Sequence, residues 1–449
     1  MLEAALNSAM AGPDAAEKKR ERSIRLAVAT SFVSKAGTIL LQLLAIPIAV
    51  RVLGRAELGL FTTVNLTLAT LSLLEIGIGP ALTHGLTQAR AAGDESRQRE
   101  LGSTAFFLML GLSLLAGLAL SAVLLTVPLT SLFGDAFAGR EAALRPALWT
   151  GLALFLFIFI LNLTERMREG HLEVASNNLW GAAGNVMAAA CVGIGIWWVP
   201  QVWFLVVAIH GSMVVAKCCN TVSLWRDHPL MLPSLRHARF RVARDLFGDG
   251  IAFSTCCAIT GLVEYHLCGW LVGRTDGPAA LALYGVFISL TVMQLGFVVM
   301  LSAPTWPAVA EAMARGDKPW ARAASKRLYL FGSGFALCSA LGLWAVGPWV
   351  MQLWLGAEFS NISRVTLGCY GLYFIAHVWR HLNHTLMIGT GQVGKLVRIQ
   401  LIESISVAVV AVIALHHGGI PAMFAAMAVV VLVLTGSFLP RQVWRALQS

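Results

Sequence analysis

The stretch HVWRHLNH at 377–384 gathers three histidines and an arginine in eight residues. These are side chains of metal binding, acid–base chemistry or anion binding. On a helix His377, Arg380, His381 and His384 fall at i, i+3, i+4 and i+7 and share one face. Tyr370 and Tyr373 extend that face toward the start of the segment. The surroundings are apolar enough to cross a bilayer, where ionisable groups are costly and a functional role is the default reading. The plainer alternative ends the crossing near Trp379 and leaves RHLNH at the membrane surface.

Other ionisable residues are set in apolar runs. Lys35 is about one-third of the way into the first run, and Lys217 about two-thirds through the sixth. Either could extend its stem to the interface. Glu264 and His266, two apart, do not share a helix face. Glu264 suits a coupling cation or proton, or pairing with a cation such as Arg380; a structural ion pair between helices fits equally. Glu75, in LLEIGIGPAL, suits proton coupling or helix packing. No HExxH, GxSxG or acidic metal cluster occurs, so neither a metal site nor a cofactor is expected. GTGQVGK at 389–395 lacks the preceding strand and the spacing of a phosphate loop, and reads as a turn.

The elements that position these groups follow from composition. The chain is 57% hydrophobic and 12% charged over 449 residues, with mean hydropathy +0.73. Soluble proteins carry roughly 25% charged residues. Twelve apolar stretches are long enough to cross a bilayer: 26–50, 58–84, 103–127, 146–168, 179–199, 202–224, 248–273, 279–303, 328–350, 364–388, 396–415 and 420–440. Crossing segments of this length must be helices, which satisfy their own backbone in lipid. The eight cysteines all lie in apolar segments and read as small packing residues.

Charge placement tests this map. With both termini cytoplasmic, 24 Lys and Arg fall on the cytoplasmic side and six on the other: Arg51, Arg55, Arg140, Arg145, Arg274 and Arg364. This positive-inside bias explains the net charge of +10 as topology and removes the case for nucleic acid. The beginning of the chain lacks the pattern of a signal peptide and instead carries a topogenic cluster, Lys18 to Arg25.

The halves also repeat. SFVSKAG at 31–37 aligns with FSTCCAI at 253–259, and RVLGRAELGLF at 51–61 with WLVGRTDGPAALALY at 270–284. GPALTHGLTQARAAGD at 79–94 aligns with APTWPAVAEAMARGD at 303–317, and LNLTERMREG at 161–170 with LNHTLMIGTG at 382–391. The expected organisation is a cytoplasmic tail (1–25), an N-lobe of six spans (26–225), a basic linker (226–246), a C-lobe of six spans (247–440) and a second tail (441–449). Two such bundles around a central cavity suit alternating-access transport. In the repeat Arg380 corresponds to Phe159 and His377 to Leu156, so the cationic stripe belongs to one lobe only.

The run from SKAGTILLQLLAIPIAV through LGRAELGLF and LLEIGIGPAL to the Gly-Asp pair at 93–94 resembles the Wzx-type polysaccharide flippases of the MOP exporter superfamily. The superfamily also includes MATE antiporters and peptidoglycan-precursor flippases. The resemblance implies an all-α fold of two pseudo-symmetric six-helix bundles. It implies a flippase, not an enzyme, that moves a polyprenyl-pyrophosphate-linked oligosaccharide to the outer leaflet of the bacterial inner membrane. Glycosyltransferases and a polysaccharide polymerase would be its partners, and Na+ or H+ its coupling ion. The product would be O-antigen, capsule or exopolysaccharide.

On that reading Lys35 and Arg380 would hold pyrophosphate, with His377, His381, His384, Tyr373 and Tyr370 beside it. Arg51 and Arg55 would be exit-side phosphate contacts or ordinary interfacial anchors. Two other readings remain. A MATE-like cation-coupled antiporter would want acidic residues in the cavity. A membrane polymerase or ligase would want a large external loop.

Overall fold

The computed structural model describes residues 13–71, 75, 77–246, 259–314, 316–359, 362–436 and 438–448. Among these no strand occurs. The chain runs as α1 (Pro13–Leu53), α2 (Arg55–Leu71), α3 (Ile78–Ala91), α4 (Glu95–Thr126), α5 (Glu141–Gly170), α6 (Val174–Gly195) and α7 (Val202–Asp227). After the linker follow α8 (Cys268–Asp276), α9 (Pro278–Ala314), α10 (Lys318–Leu355), α11 (Arg364–Gly389), α12 (Val393–Leu434) and α13 (Phe438–Gln448). Two helices contain π-helical turns: α7 at Val207–Gly211, and the approach to α8 at Leu262–Leu267.

Among the described residues, seven stretches are long and apolar enough to cross a membrane by length and composition. Large apolar side chains stand exposed along them, among them Leu118, Leu125, Leu330 and Val433. Such an apolar exterior belongs in lipid, not water. This is an all-α multi-pass membrane protein.

Three expected span edges shift, each for a local reason. The second span, 58–84, is two helices: Gly77 stands at φ 89 and Pro80 sits in the first turn of α3. The twelfth ends at Leu434, before its expected edge at 440. From Phe438 the chain forms an amphipathic helix that buries Leu439, Val443 and Leu447, where a tail was expected. The eleventh and twelfth spans lie within α12, broken at Gly418 and Gly419, the latter at φ 64. The start of the seventh span, with SFVSKAG's partner 253–259 except its last residue, lies outside the described residues. The turn expected at 389–395 is present, with Gly391 at φ 75 between α11 and α12.

The repeat is visible in the caps. Asp94 accepts the amide of Arg97 and Asp317 that of Trp320, each after a glycine in the left-handed region. The α1–α2 turn glycine is Gly54, and its structural counterpart is Gly277, 223 positions on. The sequence alignment had paired Gly54 with Gly273, but only the α8–α9 turn itself needs the positive φ.

Helices α1–α7 pack on one another, as do α8–α12, and α9 lying on α2 makes the principal contact between the two groups. The linker docks on α4: the Ser234 amide donates to Ser103 Oγ and the Arg239 amide to Thr104 Oγ1. At the same end of the N-lobe, buried Arg168 donates to Asn220 Oδ1 at 2.7 Å and Ser223 Oγ at 2.9 Å and pairs with Glu173. That guanidinium ties the ends of α5 and α7 to the α5–α6 turn.

Contacts between the lobes concentrate at the end carrying the α1–α2 and α8–α9 turns. A Cβ on Gly59 would meet Pro278 O at 1.8 Å, and one on Gly285 would meet Thr62 Cγ2 at 2.8 Å. Arg55 donates from Nε to Ala279 O at 2.8 Å and from its amide to Glu358 Oε2 at 2.6 Å. Arg274 donates to Ser131 O at 2.8 Å. Gly59→Val cannot coexist with this closure, because the obstruction is backbone rather than a flexible side chain. It is expected to separate the two turns, read as a lengthened spin-label distance between the α1–α2 and α8–α9 turns. An unchanged distance in folded protein would refute the role of this contact.

Candidate functional site

The residues singled out on α11 do converge, and what they converge on is acidic. The Arg380 guanidinium takes both oxygens of Glu264, with NH2 to Oε2 at 2.8 Å, and its NH1 also donates to Glu403 Oε1 at 2.8 Å. Tyr373 OH donates to Glu264 Oε2 at 2.9 Å, and His377 Nδ1 lies 3.0 Å from the same oxygen. Tyr265 OH lies 3.3 Å from the other ring nitrogen of His377, Nε2. Glu264, Arg380 and Glu403 are each no more than 3% exposed.

Local structure brings them there. The i, i+4, i+7 spacing aims Tyr373, His377 and Arg380 the same way from α11. The π-turn before α8 carries Glu264 toward them, and Glu403 comes from α12. Widened turns of this kind re-aim single side chains.

This changes the reading of Arg380. A free cationic face was expected; the guanidinium is instead enclosed by two carboxylates. Two carboxylates face this one guanidinium, so the cluster presents no uncompensated positive charge. The physical reason is desolvation: a lone guanidinium in this interior would cost several kcal/mol, and paired carboxylates offset that. Glu264 is therefore paired with Arg380, one of the alternatives the sequence left open. Glu403 is not among the residues the sequence singled out. Its position 23 residues beyond Arg380, across a turn, offered no spacing rule that would single it out.

The remaining α11 residues have other partners. Tyr370 OH lies 3.1 Å from Thr291 Oγ1, and His381 Nε2 lies 2.8 Å from Ser302 Oγ, both on α9. His384 is half-buried, its shielded Nε2 without a partner among the described residues. RHLNH is thus packed inside the C-lobe, and Asn383, wholly buried, accepts from Tyr329 OH at 2.6 Å.

His266 turns away from Glu264 and lines an apolar recess between α2 and α8 with Thr67, Thr70 and Trp270. Glu75 accepts from Asn162 Nδ2 at 3.2 Å and Arg166 Nε at 3.4 Å. Lys217 is ion-paired with Glu165. Arg51 donates to Leu353 O at 3.3 Å, and Arg55 is held by Ala279 and Glu358. Both arginines therefore join the lobes at the closed end.

Lys35 is different. It is exposed on α1, and its Nζ lies 3.4 Å from the position a Cβ on Gly296 of α9 would take. It therefore lies where the two lobes face each other, with no hydrogen-bond or ion-pair partner among the described residues. Further along the same cleft is a cavity of about 350 Å3, walled by α1, α2, α7 and α9.

No protein-family model and no curated protein matches the chain in sequence. Solved structures match its fold. A multidrug resistance MATE family transporter of the MOP superfamily, in its inward-facing conformation, superposes with a TM-score of 0.77 at 14% identity, covering 92% of this chain and 96% of that one. The fold is that of the MATE transporters. A MOP superfamily transporter from Pyrococcus furiosus, whose binding pocket is described as reversed in polarity and suggestive of a different function, gives 0.68 at 15% identity, covering 96% and 97%. An outward-facing MATE structure gives 0.66 at 15% identity, covering 95% and 96%.

Arg380→Ala strands Glu264 and Glu403 as buried charges, at an expected cost of ~3–5 kcal/mol. Arg380→Met combined with Glu264→Gln and Glu403→Gln removes all three charges and should recover most of that loss. Thermal unfolding of the detergent-solubilised protein reads both. A single Arg380→Ala variant as stable as the parent would contradict the clamp.

Proposed function

We propose that this protein is a lipid-linked oligosaccharide flippase. It moves a polyprenyl-pyrophosphate-linked glycan between leaflets by alternating closure of its two lobes. The observation that carries this reading is Lys35, an intramembrane cation facing the cleft with no counter-charge beside it among the described residues. An unpaired ammonium in such a place is costly unless an anion visits it. A pyrophosphate is such an anion, and Lys binds phosphate as a compact point charge.

The cavity wall supports the same reading. Its lining contains no Asp, Glu, Lys or Arg. A small-molecule antiporter of cationic compounds would need a carboxylate aimed into the cleft. The buried carboxylates nearest in sequence logic, Glu264 and Glu403, are engaged with Arg380. Arg380 then serves the C-lobe's integrity, and the pyrophosphate contact falls to Lys35.

The resemblance of residues 34–94 to Wzx-type flippases adds the substrate class, the bacterial inner membrane and the O-antigen, capsule or exopolysaccharide product. Glycosyltransferases would supply the substrate and a polymerase would consume it. Coupling to Na+ or H+ is part of the proposal, with both termini on the cytoplasmic side.

The test is complementation of a flippase-null strain in which surface polysaccharide is measured. Lys35→Ala should lower export at least ~10-fold while Lys35→Arg keeps most of it, since the charge rather than the stem is required. Membrane abundance of both variants should match the parent. Full export by Lys35→Ala would overturn the assignment.

A further inference from the structure

The cavity beyond Lys35 has a chemistry of its own. Gln42 of α1, Thr62 and Asn65 of α2, His210 of α7 and Ser289 of α9 all line it. Among the described residues, the Gln42 amide and the Ser289 hydroxyl have no hydrogen-bond partner. Asn65 offers Oδ1 to His210 Nε2 at 2.8 Å, which leaves its Nδ2 donors free and fixes the direction in which they point. His210 sits in the π-turn of α7. The rest of the wall is apolar, including Ile46, Ala49 and Val286.

The cavity is also placed in order along the cleft. Gln42 follows Lys35 by seven residues on α1, a helical step of about 10 Å on one face. On α9, running the opposite way, Ser289 precedes Gly296 by the same number. The pair Gln42 and Ser289 therefore forms one level and the pair Lys35 and Gly296 another. The first level lies next to the packed closure, since Leu58 and Gly285, which flank or form it, are part of the cavity wall.

Neutral donors and acceptors on an apolar wall, with no charge, recognise a group that is polar but uncharged. Unpaired amides and hydroxyls in a partly dried cavity select for a ligand that satisfies them, and penalise one that brings a desolvated charge. We propose that this cavity is a sugar-binding subsite that takes an uncharged sugar of the glycan, with Gln42, Asn65 and Ser289 as its hydrogen-bonding groups. The proposal rests on reading the cleft as the path of a lipid-linked glycan. It adds that the glycan enters sugar-first toward the closed end, and that acidic sugars are disfavoured at this position.

The test uses the full chain in lipid nanodiscs with short-chain prenyl probes. Citronellyl pyrophosphate is compared bare, carrying N-acetylglucosamine, galactose or rhamnose, and carrying glucuronic acid. At least one uncharged sugar should tighten binding over the bare lipid by about five- to ten-fold per recovered hydrogen bond, and glucuronic acid should not. Gln42→Ala and Asn65→Ala should each lower that increment while leaving the affinity for the bare lipid unchanged. Lys35→Ala should weaken all probes together.

A second readout is maleimide labelling of Ser289→Cys, followed at that peptide by mass spectrometry. The sugar-bearing lipid should protect it and the bare lipid should not. If bare citronellyl pyrophosphate binds but no sugar adds affinity or protection, the subsite is refuted and the flippase reading stands. If no prenyl probe binds yet free uncharged sugars protect Ser289→Cys, the subsite stands and the flippase reading falls. Equal binding of the glucuronic acid probe and the best uncharged one would overturn the proposed selectivity.

Discussion

A charge held in the apolar interior of a membrane protein must be neutralised where it sits, and the C-lobe is organised around that requirement. Arg380 can stay ionised on α11 only because Glu264 arrives from the π-turn before α8 and Glu403 from α12. Tyr373 and His377 then satisfy what remains of the Glu264 carboxylate. Three helices are thus held in a set rotation by one guanidinium. The rest of the polar interior follows from that orientation: Tyr370 meets Thr291, His381 meets Ser302 and Asn383 meets Tyr329.

The N-lobe solves the same problem differently. Its buried cation, Arg168, lies at a helix end, where Asn220, Ser223, Glu173 and Asp227 can reach it beside solvent. Toward the cleft it presents Lys35 beside amide side chains such as Gln42 and Asn65. The two lobes share a backbone plan yet differ in where they place charge. That asymmetry suits one lobe to stand as a rigid electrostatic clamp and the other to present hydrogen-bonding groups to a ligand.

Between them, closure depends on the absence of side chains. Gly59 against Pro278 and Gly285 against Thr62 let α2 and α9 approach closely, as small residues do between membrane helices. Arg51, Arg55 and Arg274 then donate to carbonyls across the seam. Such contacts are few, local and hydrogen-bonded, and a seam of this kind can part without unfolding either lobe.

The sequence by itself determined the class: apolar length set the helices, charge placement set the expected topology, and the spacing on α11 placed Tyr373, His377 and Arg380 on one face. These are properties of one segment at a time, legible because helical periodicity and lipid solvation act locally. The repeat aligned the two Gly-Asp pairs, and the structure shows that each caps an equivalent helix. Only the tertiary structure decided what each polar group meets. Glu403, 23 positions from Arg380 and on another helix, turned an expected free cation into a neutralised clamp, while Lys35 proved to be the cation left open to the cleft. No local pattern encodes such pairings, because they depend on how α8, α11 and α12 rotate against each other and on which face α1 turns toward α9.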